Sequence, residues 1–499
     1  MSKYLLIINF SKKLVSPKKI QRTNIILFNF LVSPSRTNQN QKGFSCQIAQ
    51  NFICKALIIF LWSCGTANSQ QLKKNIFLHR AGIPLPEKIA EHKTSLESWL
   101  VNAHNKGIFP SIGVGITHKG KLIYEYYVSS EPTQNYGLGS ITKTFTATMI
   151  VQASELGLIH LDDPISKYFP DLKIEKEELK SKPITIRNIL SHRSGMPDLR
   201  YYTSPEWVKQ SSIPFNVTAQ IYPAGYHYRY SNIGFMILGK LLEKVYGLPL
   251  QTIVREQIFN KIGMSNSIAH PGVSGAGGIS TNIPDLAKFA SMYMRGGISV
   301  NDNRVLKEET IASMVESPVY IPFAKVKKYC GLGWRVESEG DDIVTFFHIG
   351  GANYIAGWIQ FFPRYDIAIM YLSNPPEYTD ELMSYLISLQ RKMGDIATTI
   401  AGASEPLYKI PDDSPKPELF SMYTGNYRNP LTKQNATVTI NQNKLFLEIE
   451  NSSKRYLTPD TINLFGGMGG YGSYEFTFDP ITKKVLGVSS YNGFFEKKE

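Results

Sequence analysis

Cysteine is nearly absent from the part of this chain that could form a folded body. Of its four cysteines, Cys46, Cys54 and Cys64 fall before residue 65, and Cys330 is the only one after it. A chain that loses its first 69 residues can form no internal disulfide, so its stability must come from a packed core. Acidic residues are missing from the start. No Asp or Glu precedes Glu87, whereas 12 of the 54 lysines and arginines do. The other 42 face all 41 acidic residues, so the residues before Glu87 carry twelve of the thirteen net positive charges and the body is close to neutral. A neutral body presents no basic surface to a phosphate backbone, which excludes nucleic acid as a partner. There is no H-E-x-x-H or similar ligand spacing among the scattered histidines, and no G-x-S-x-G elbow. These absences argue against a metal site and against an α/β-hydrolase. No cofactor is expected.

What is present fits a globular protein: 42% hydrophobic and 12% aromatic residues in 499, enough for one large domain and something smaller. Residues 1–69 read as a leader. Its "KALIIFLWSCGTANSQ" has a basic residue (Lys55), a short apolar run from Ala56 to Trp62, and small residues at Ala67 and Ser69. That is a signal-peptide pattern, with cleavage after Ser69 and a periplasmic or secreted destination. The run is too short to span a bilayer as a mature helix. An uncleaved anchor, or lipidation at Cys64, is the competing reading, and membrane contact would come only that way. The upstream residues lack periodicity and lie on the wrong side of the signal, as if from a misassigned start.

From about Ser95 the pattern alternates, and "SIGVGITHKGKLIYEYYV" reads as two strands around a Lys119-Gly120 turn. A helix follows, with Ile141, Phe145, Met149, Ala153 and Leu156 at three- and four-residue spacing and Gly157 as its stop. The middle is helical and loop-rich, including "FMILGKLLEKVYG" and "TNIPDLAKFASMYMRGG". Three short β-branched and aromatic runs then return: "IVTFFHIGG", "YIAGWIQFFP" and "DIAIMYLSN". A helix over about 380–394 closes the block. Strands at both ends with helices between imply an α/β sheet assembled from distant parts of the chain, spanning 80–395. The proline-rich stretch within 396–416 reads as a linker, and 417–499 as a small all-β domain.

The chemistry centres on "GSITK". Ser140 and Lys143 are three apart on one helix face, about 5–6 Å at Cβ. A serine hydroxyl is a poor nucleophile until a neighbour takes its proton, and a lysine helps when burial or nearby charge lowers its pKa. The spacing alone is weak, since Ser16 and Lys19 repeat it in the leader. A helix cap followed by a solvated charge would look the same. Context strengthens the chemical reading. "YRYSNIGF" supplies Tyr230 and Asn232, two apart, which face the same side of an extended segment. "FHIGGANYIAGW" ends a strand in His348, Ile349, Gly350 and Gly351, where glycines let a substrate approach the strand edge closely. His192 and Ser194 in "LSHRSGMPD" read as loop scaffolding, and Cys330 as a packed residue.

In the order Ser-x-x-Lys, Tyr-x-Asn, His-x-Gly the chain resembles the serine β-lactamase and penicillin-recognising DD-peptidase family, in its class C β-lactamase-like branch. "LIHLDDPISKYFPD", "ITIRNILSHRSGMPD", "GAGGISTNIPDLAKFA" and "YCGLGW" look like this branch too, so the resemblance covers about 95–375. The tail, with "YTGNYRNP", is similar to the lipocalin-like β domains appended to many members. The resemblance implies the β-lactamase/transpeptidase-like fold: an antiparallel sheet flanked by helices, a helical subdomain and a C-terminal β domain. It implies Ser140 as acylated nucleophile, Lys143 as its proton partner and Tyr230 as general base. Asn232 would hold the substrate amide, the N–H groups of Ser140 and Gly351 would form the oxyanion hole, and His348 and Gly350 would line the substrate.

His348 stands where many relatives place lysine, Ile349 lacks the hydroxyl that members with Thr or Ser use to bind a substrate carboxylate, and Tyr354 narrows the cleft where glycine is common. These departures point to a serine peptidase or esterase that acts on D-amino-acid-containing peptides without strong carboxylate recognition, or on small esters. A β-lactamase is the alternative. A non-catalytic peptidoglycan-binding protein is the alternative from another class.

Overall fold

The computed structural model describes residues 86–498, without 173, 176–182, 197–217, 220–222, 226, 319–320, 322–323, 378, 409–413, 431, 467–473, 480 and 491–492. The leader, its expected signal peptide and its three cysteines lie outside them. Five helices frame the site: α1 (Pro86–Asn105), α2 (Thr142–Glu155), α3 (Asn232–Tyr246), α4 (Ile283–Met294) and α5 (Asp380–Ala401). The strands of the body's main sheet are β1 (Ile112–His118), β2 (Lys121–Val128), β3 (Val326–Cys330), β4 (Arg335–Glu339), β5 (Asp342–Ala352), β6 (Ile355–Phe362) and β7 (Ile367–Ser373).

These seven strands form one antiparallel sheet in the order β2-β1-β7-β6-β5-β4-β3. The hairpin of β1 and β2 turns where expected, with positive φ at Lys119 (51°) and Gly120 (69°), as a tight hairpin demands. Its inner strand then pairs with the far end of the body, Ile112 opposite Ser373 and His118 opposite Ile367.

Every residue of β1 and β7 is buried. Alternation along β7 explains how both faces are filled: Ala368, Met370 and Leu372 enter one core, Ile367, Ile369 and Tyr371 the other. The second core is covered by α1 and α5 through Leu96, Leu100, Leu382, Leu386 and Leu389. The first is covered by α2, α3 and α4. The alternating reading from Ser95 missed α1, which reaches Asn105. The closing helix also runs further than expected, into the stretch read as linker, ending at Ala401 with Gly402 left-handed (φ 62°).

Beyond it, a curled antiparallel sheet holds β8 (Gly425–Arg428), β9 (Asn435–Asn441), β10 (Lys444–Ile449), β11 (Arg455–Tyr456), β12 (Leu464–Phe465), β13 (Tyr474–Phe478), β14 (Val485–Ser490) and β15 (Gly493–Lys497). Its order is β11-β10-β9-β8-β15-β14-β13-β12. The concave face, with Tyr427, Val438, Leu447, Phe476 and Phe495, belongs to the same apolar cluster that α2 and α3 pack against. Core therefore continues from the body into this sheet. Among the described residues no helix is long and apolar enough to cross a membrane.

Candidate active site

Ser140 lies in a single 3-10 turn, Gly139–Ile141, that feeds α2. The helix is buried on all sides from Thr142 to Ala153. Its threonines are compatible with that because their hydroxyls bond locally: Thr144 Oγ1 donates to the Ile141 carbonyl (2.8 Å), and Thr148 Oγ1 to that of Thr144 (2.7 Å). Of the apolar stripe read from sequence, Ile141, Phe145, Met149 and Ala153 are fully buried. Leu156 is not; it lies past the helix end and is 60% exposed.

Lys143 is fully buried. An ammonium taken out of water is costly unless its protons are satisfied. Nζ donates to Ser140 Oγ (3.2 Å), Asn232 Oδ1 (2.7 Å) and the Ala276 carbonyl (3.0 Å), which uses its three donors. It also lies 4.9 Å from the centre of the Tyr230 ring and 5.8 Å from that of Phe235. One cation thus ties the serine to both residues of the Tyr-x-Asn pair.

That pair is not an extended dipeptide throughout. Ser231 is extended (φ −138°, ψ 112°) and caps α3, its Oγ accepting from the Gly234 N–H (3.1 Å), so Asn232 is already the first helical residue. The cap turns the chain and brings the Asn232 amide to Lys143. Below Tyr230 lies His192, buried and left-handed (φ 54°). Their rings stack at 4.4 Å. The His192 carbonyl accepts from the Arg229 N–H (2.6 Å) and its Nδ1 from the Ser231 N–H (3.1 Å). Nδ1 can accept only in a neutral ring. Burial, then the charges of Lys143 and its surroundings, hold the His192 pKa well below the ordinary value, in keeping with that bond.

Strand β5 brings up the third element. His348 is buried, and burial, followed by Lys143 and Arg335, lowers its pKa to about 3. It is a neutral imidazole at pH 7. The strand does not end there but runs through Gly350 and Gly351 to Ala352. Gly350 is required by space, since a Cβ on it would lie 2.1 Å from the Leu138 carbonyl oxygen. A Cβ on Gly139 would lie 3.3 Å from the Gly351 nitrogen, so the serine turn and the strand are in direct contact. Ile349 turns away and packs against the second core. Tyr354 takes the left-handed conformation (φ 61°) in the following turn and is 68% exposed, so its ring stands in solvent and does not close the cleft.

Ser140, Lys143, Tyr230, Asn232, His348, Gly350 and Gly351 therefore converge from three separate stretches of chain. A family model described as Beta-lactamase matches residues 96–390, which contain all of them. The chain belongs to the beta-lactamase family. As a member of the serine beta-lactamase and DD-peptidase group it is a serine hydrolase. This beta-lactamase-family chain is 23% identical over 429 residues to "Unguisins hydrolase ungD'" of Aspergillus campestris (strain IBT 28561), covering 71% of this chain and 78% of that one. It is 23% identical over 337 residues to a protein of Escherichia coli (strain K12) named as a D-alanyl-D-alanine carboxypeptidase, covering 53% and 74%. The octameric penicillin-binding protein homologue from Pyrococcus abyssi has the same fold, with TM-score 0.51 and 21% identity over 81% of this chain and 99% of that one.

Two neighbours of the site were not legible as such in the sequence. His192 reads in sequence as loop scaffolding, and in space it is the platform under Tyr230. Arg335, on β4, stands near Tyr228 and Tyr230. Burial opposes its charge, but Tyr228, Cys330 and Tyr230 favour it, and its pKa lies above the ordinary arginine value. The "GLGWR" stretch held the only signal, an arginine directly after an apolar turn. Cys330 is buried and burial raises its pKa to about 12, so it is a packed thiol and not a nucleophile.

Proposed function

We propose that the protein cleaves amide or ester bonds through an acyl-enzyme on Ser140, with D-amino-acid-containing peptides or small esters as substrates. The observation that carries this is the Lys143 ammonium, which bonds Ser140 Oγ and Asn232 Oδ1 at once beneath the Tyr230 ring. An ammonium beside a phenol favours the phenolate, so Tyr230 is suited to take the Ser140 proton as Oγ attacks the substrate carbonyl. The oxyanion that forms is bound by the N–H groups of Ser140 and Gly351. When the C–N or C–O bond breaks, Tyr230 returns the proton to the leaving group. Water then attacks the acyl carbon, Tyr230 takes its proton, the acyl–Oγ bond breaks, and the proton goes back to Ser140. Asn232 holds the substrate amide, while His348 and Gly350 line the acyl group.

The substrate class follows from what β5 offers. A neutral His348 and an Ile349 that faces the other core give a substrate carboxylate little on this strand. That supports slow β-lactam turnover. The hydrolase and carboxypeptidase names of the relatives support amide substrates. The leader's signal pattern supports a periplasmic or secreted protein, and N-terminal sequencing of the native protein would overturn the misassigned start by finding residues 1–40.

The test is intact mass after incubation with a penicillin and, separately, a fluorophosphonate, beside Ser140→Ala. A lasting mass increase on the unaltered protein alone is the expected result. Penicillin consumed without an adduct would mean a β-lactamase. Fluorophosphonate labelling without any penicillin reaction would mean an esterase or another peptidase. Absence of both, with no ester or peptide hydrolysis, would overturn the reading in favour of a peptidoglycan-binding protein.

A further inference from the structure

We propose that Glu475, on the C-terminal sheet, is a positioning residue for Tyr230, so that this sheet completes the hydrolytic site. The inference rests on the role given to Tyr230 above.

Along β13 the odd and even residues part company. Tyr474, Phe476 and Phe478 fill the core of the curled sheet. Glu475 and Thr477 point the other way, where a lone sheet would meet water. They meet the body instead. Glu475 is 7% exposed, and its carboxylate is shared between two donors from different parts of the chain. Oε1 accepts from Arg193 Nη2 at 2.8 Å, and Oε2 accepts from the Tyr228 backbone N–H at 2.8 Å. Two residues along, Thr477 Oγ1 bonds His227 Nδ1 at 2.9 Å, and the His227 ring lies 4.1 Å from that of Phe494 on β15.

Both donors lead directly to Tyr230. Tyr228 is two residues before it on the same segment. Arg193 follows His192, whose ring stacks on Tyr230 and whose carbonyl and Nδ1 hold the Arg229 and Ser231 N–H groups. One carboxylate therefore fixes the segment that carries the phenol and the loop that supports it. As a stability device the Arg193–Glu475 pair is a poor choice, because removing two charges from water offsets most of their attraction. What a fork of hydrogen bonds to a carboxylate does supply is orientation. Errors of about 1 Å in catalytic groups can cost on the order of 100-fold in rate.

The test compares the full-length protein with Glu475→Gln and Glu475→Ala, using hydrolysis of a p-nitrophenyl ester and counting competent sites by fluorophosphonate titration of Ser140. Glutamine keeps an acceptor for the Tyr228 N–H and loses the ionic bond to Arg193; alanine loses both. Per titrated site, kcat should fall about 10-fold for glutamine and about 100-fold for alanine, with KM within about 3-fold. A purely structural role would lower the melting temperature and the number of titrated sites but leave kcat per site unchanged. That result overturns the proposal. If the alanine variant does not fold, Glu475→Gln together with Thr477→Val, which removes the neighbouring bond to His227, decides by the same kcat per site. Should the unaltered protein neither label at Ser140 nor turn over, the acyl-enzyme reading falls and this inference with it. Labelling of Ser140 with unchanged kcat in the variants sinks this inference alone.

Discussion

The two sheets bury themselves in opposite ways. In the seven-stranded sheet the central strands β1 and β7 have no exposed residue, because helices cover both faces. In the C-terminal sheet β10 alternates strictly, with Leu445, Leu447 and Ile449 buried and Lys444 and Glu448 exposed. A sheet of the second kind needs only one apolar face, and charges on its other face normally stay solvated. Glu475 breaks that rule, and the place where it does so is the place where the sheet meets the Tyr230 segment. Buried polarity on an otherwise wet face thus marks a contact that serves the site.

Four experiments would break or sharpen this contrast. The largest effect should come from Ser140→Ala, which removes the nucleophile and no packing. Hydrolysis should drop by at least about 1,000-fold while circular dichroism stays unchanged and the melting temperature falls only slightly, since Lys143 loses one acceptor but neither sheet depends on Oγ. Next come two aromatic truncations, one per sheet. Trp334 packs edge-on to Tyr293, Phe346 and Phe361 at 5.1 to 5.3 Å and is fully buried. Phe476 lies 4.8 Å from Tyr423 and 5.3 Å from Phe465. Trp334→Ala and Phe476→Ala should each cost about 3–5 kcal/mol in urea unfolding. Because the core is continuous between the sheets, both should move one shared transition. Two separate transitions would show that the C-terminal sheet unfolds by itself.

A smaller effect is tied to pH. The pKa values of His192, His227 and His348 are lowered chiefly by burial, that of His348 to about 3. Below pH 6.5 the unfolded chain binds protons that the native state refuses, so stability falls as the pH is lowered from 6.5 towards about 3. Each histidine adds up to about 1.4 kcal/mol per pH unit to that slope. His348→Asn should reduce it by one such increment, read from urea midpoints at pH 4, 5 and 6. All three histidines lie on or against the site, so a C-terminal sheet isolated from the body would lack this sensitivity. The smallest effect belongs to the wet face: Glu448→Gln should change stability by less than about 0.5 kcal/mol, whereas Ile369→Gln, on the doubly covered sheet, should cost several.

Sequence alone carried the local features far. The Lys119-Gly120 hairpin, the α2 stripe and the strands around "HIGG" are all set by neighbours in the chain, and periodicity or a turn residue betrays each. The three motifs were readable because each is compact, and the structure brings their residues together. What escaped depends on distance. The Arg193–Glu475 bond joins residues 282 apart, and a buried arginine or glutamate looks in sequence like any solvated charge. His192 shows its value only once Tyr230 is stacked on it. The α1 helix was hidden because it buries only a narrow stripe, Leu96, Leu100 and Ala103, within an otherwise polar stretch. The proline-rich stretch suggested a linker that begins too early, since α5 runs on until Gly402 ends it.

The pairing of β1 with β7 also sets a timetable. Ser373 Oγ donates to the Ser111 carbonyl across 262 residues of chain. A ribosome delivers the first hairpin long before its partner strand exists, and domains complete themselves only when their last element arrives. Until then β1 carries an unpaired apolar edge, the kind of surface that recruits stray strands. The interval between the two halves of this sheet is therefore when the newborn protein is most exposed to aggregation, and slowing synthesis between residues 128 and 367 should raise the insoluble fraction more than the same delay after residue 373.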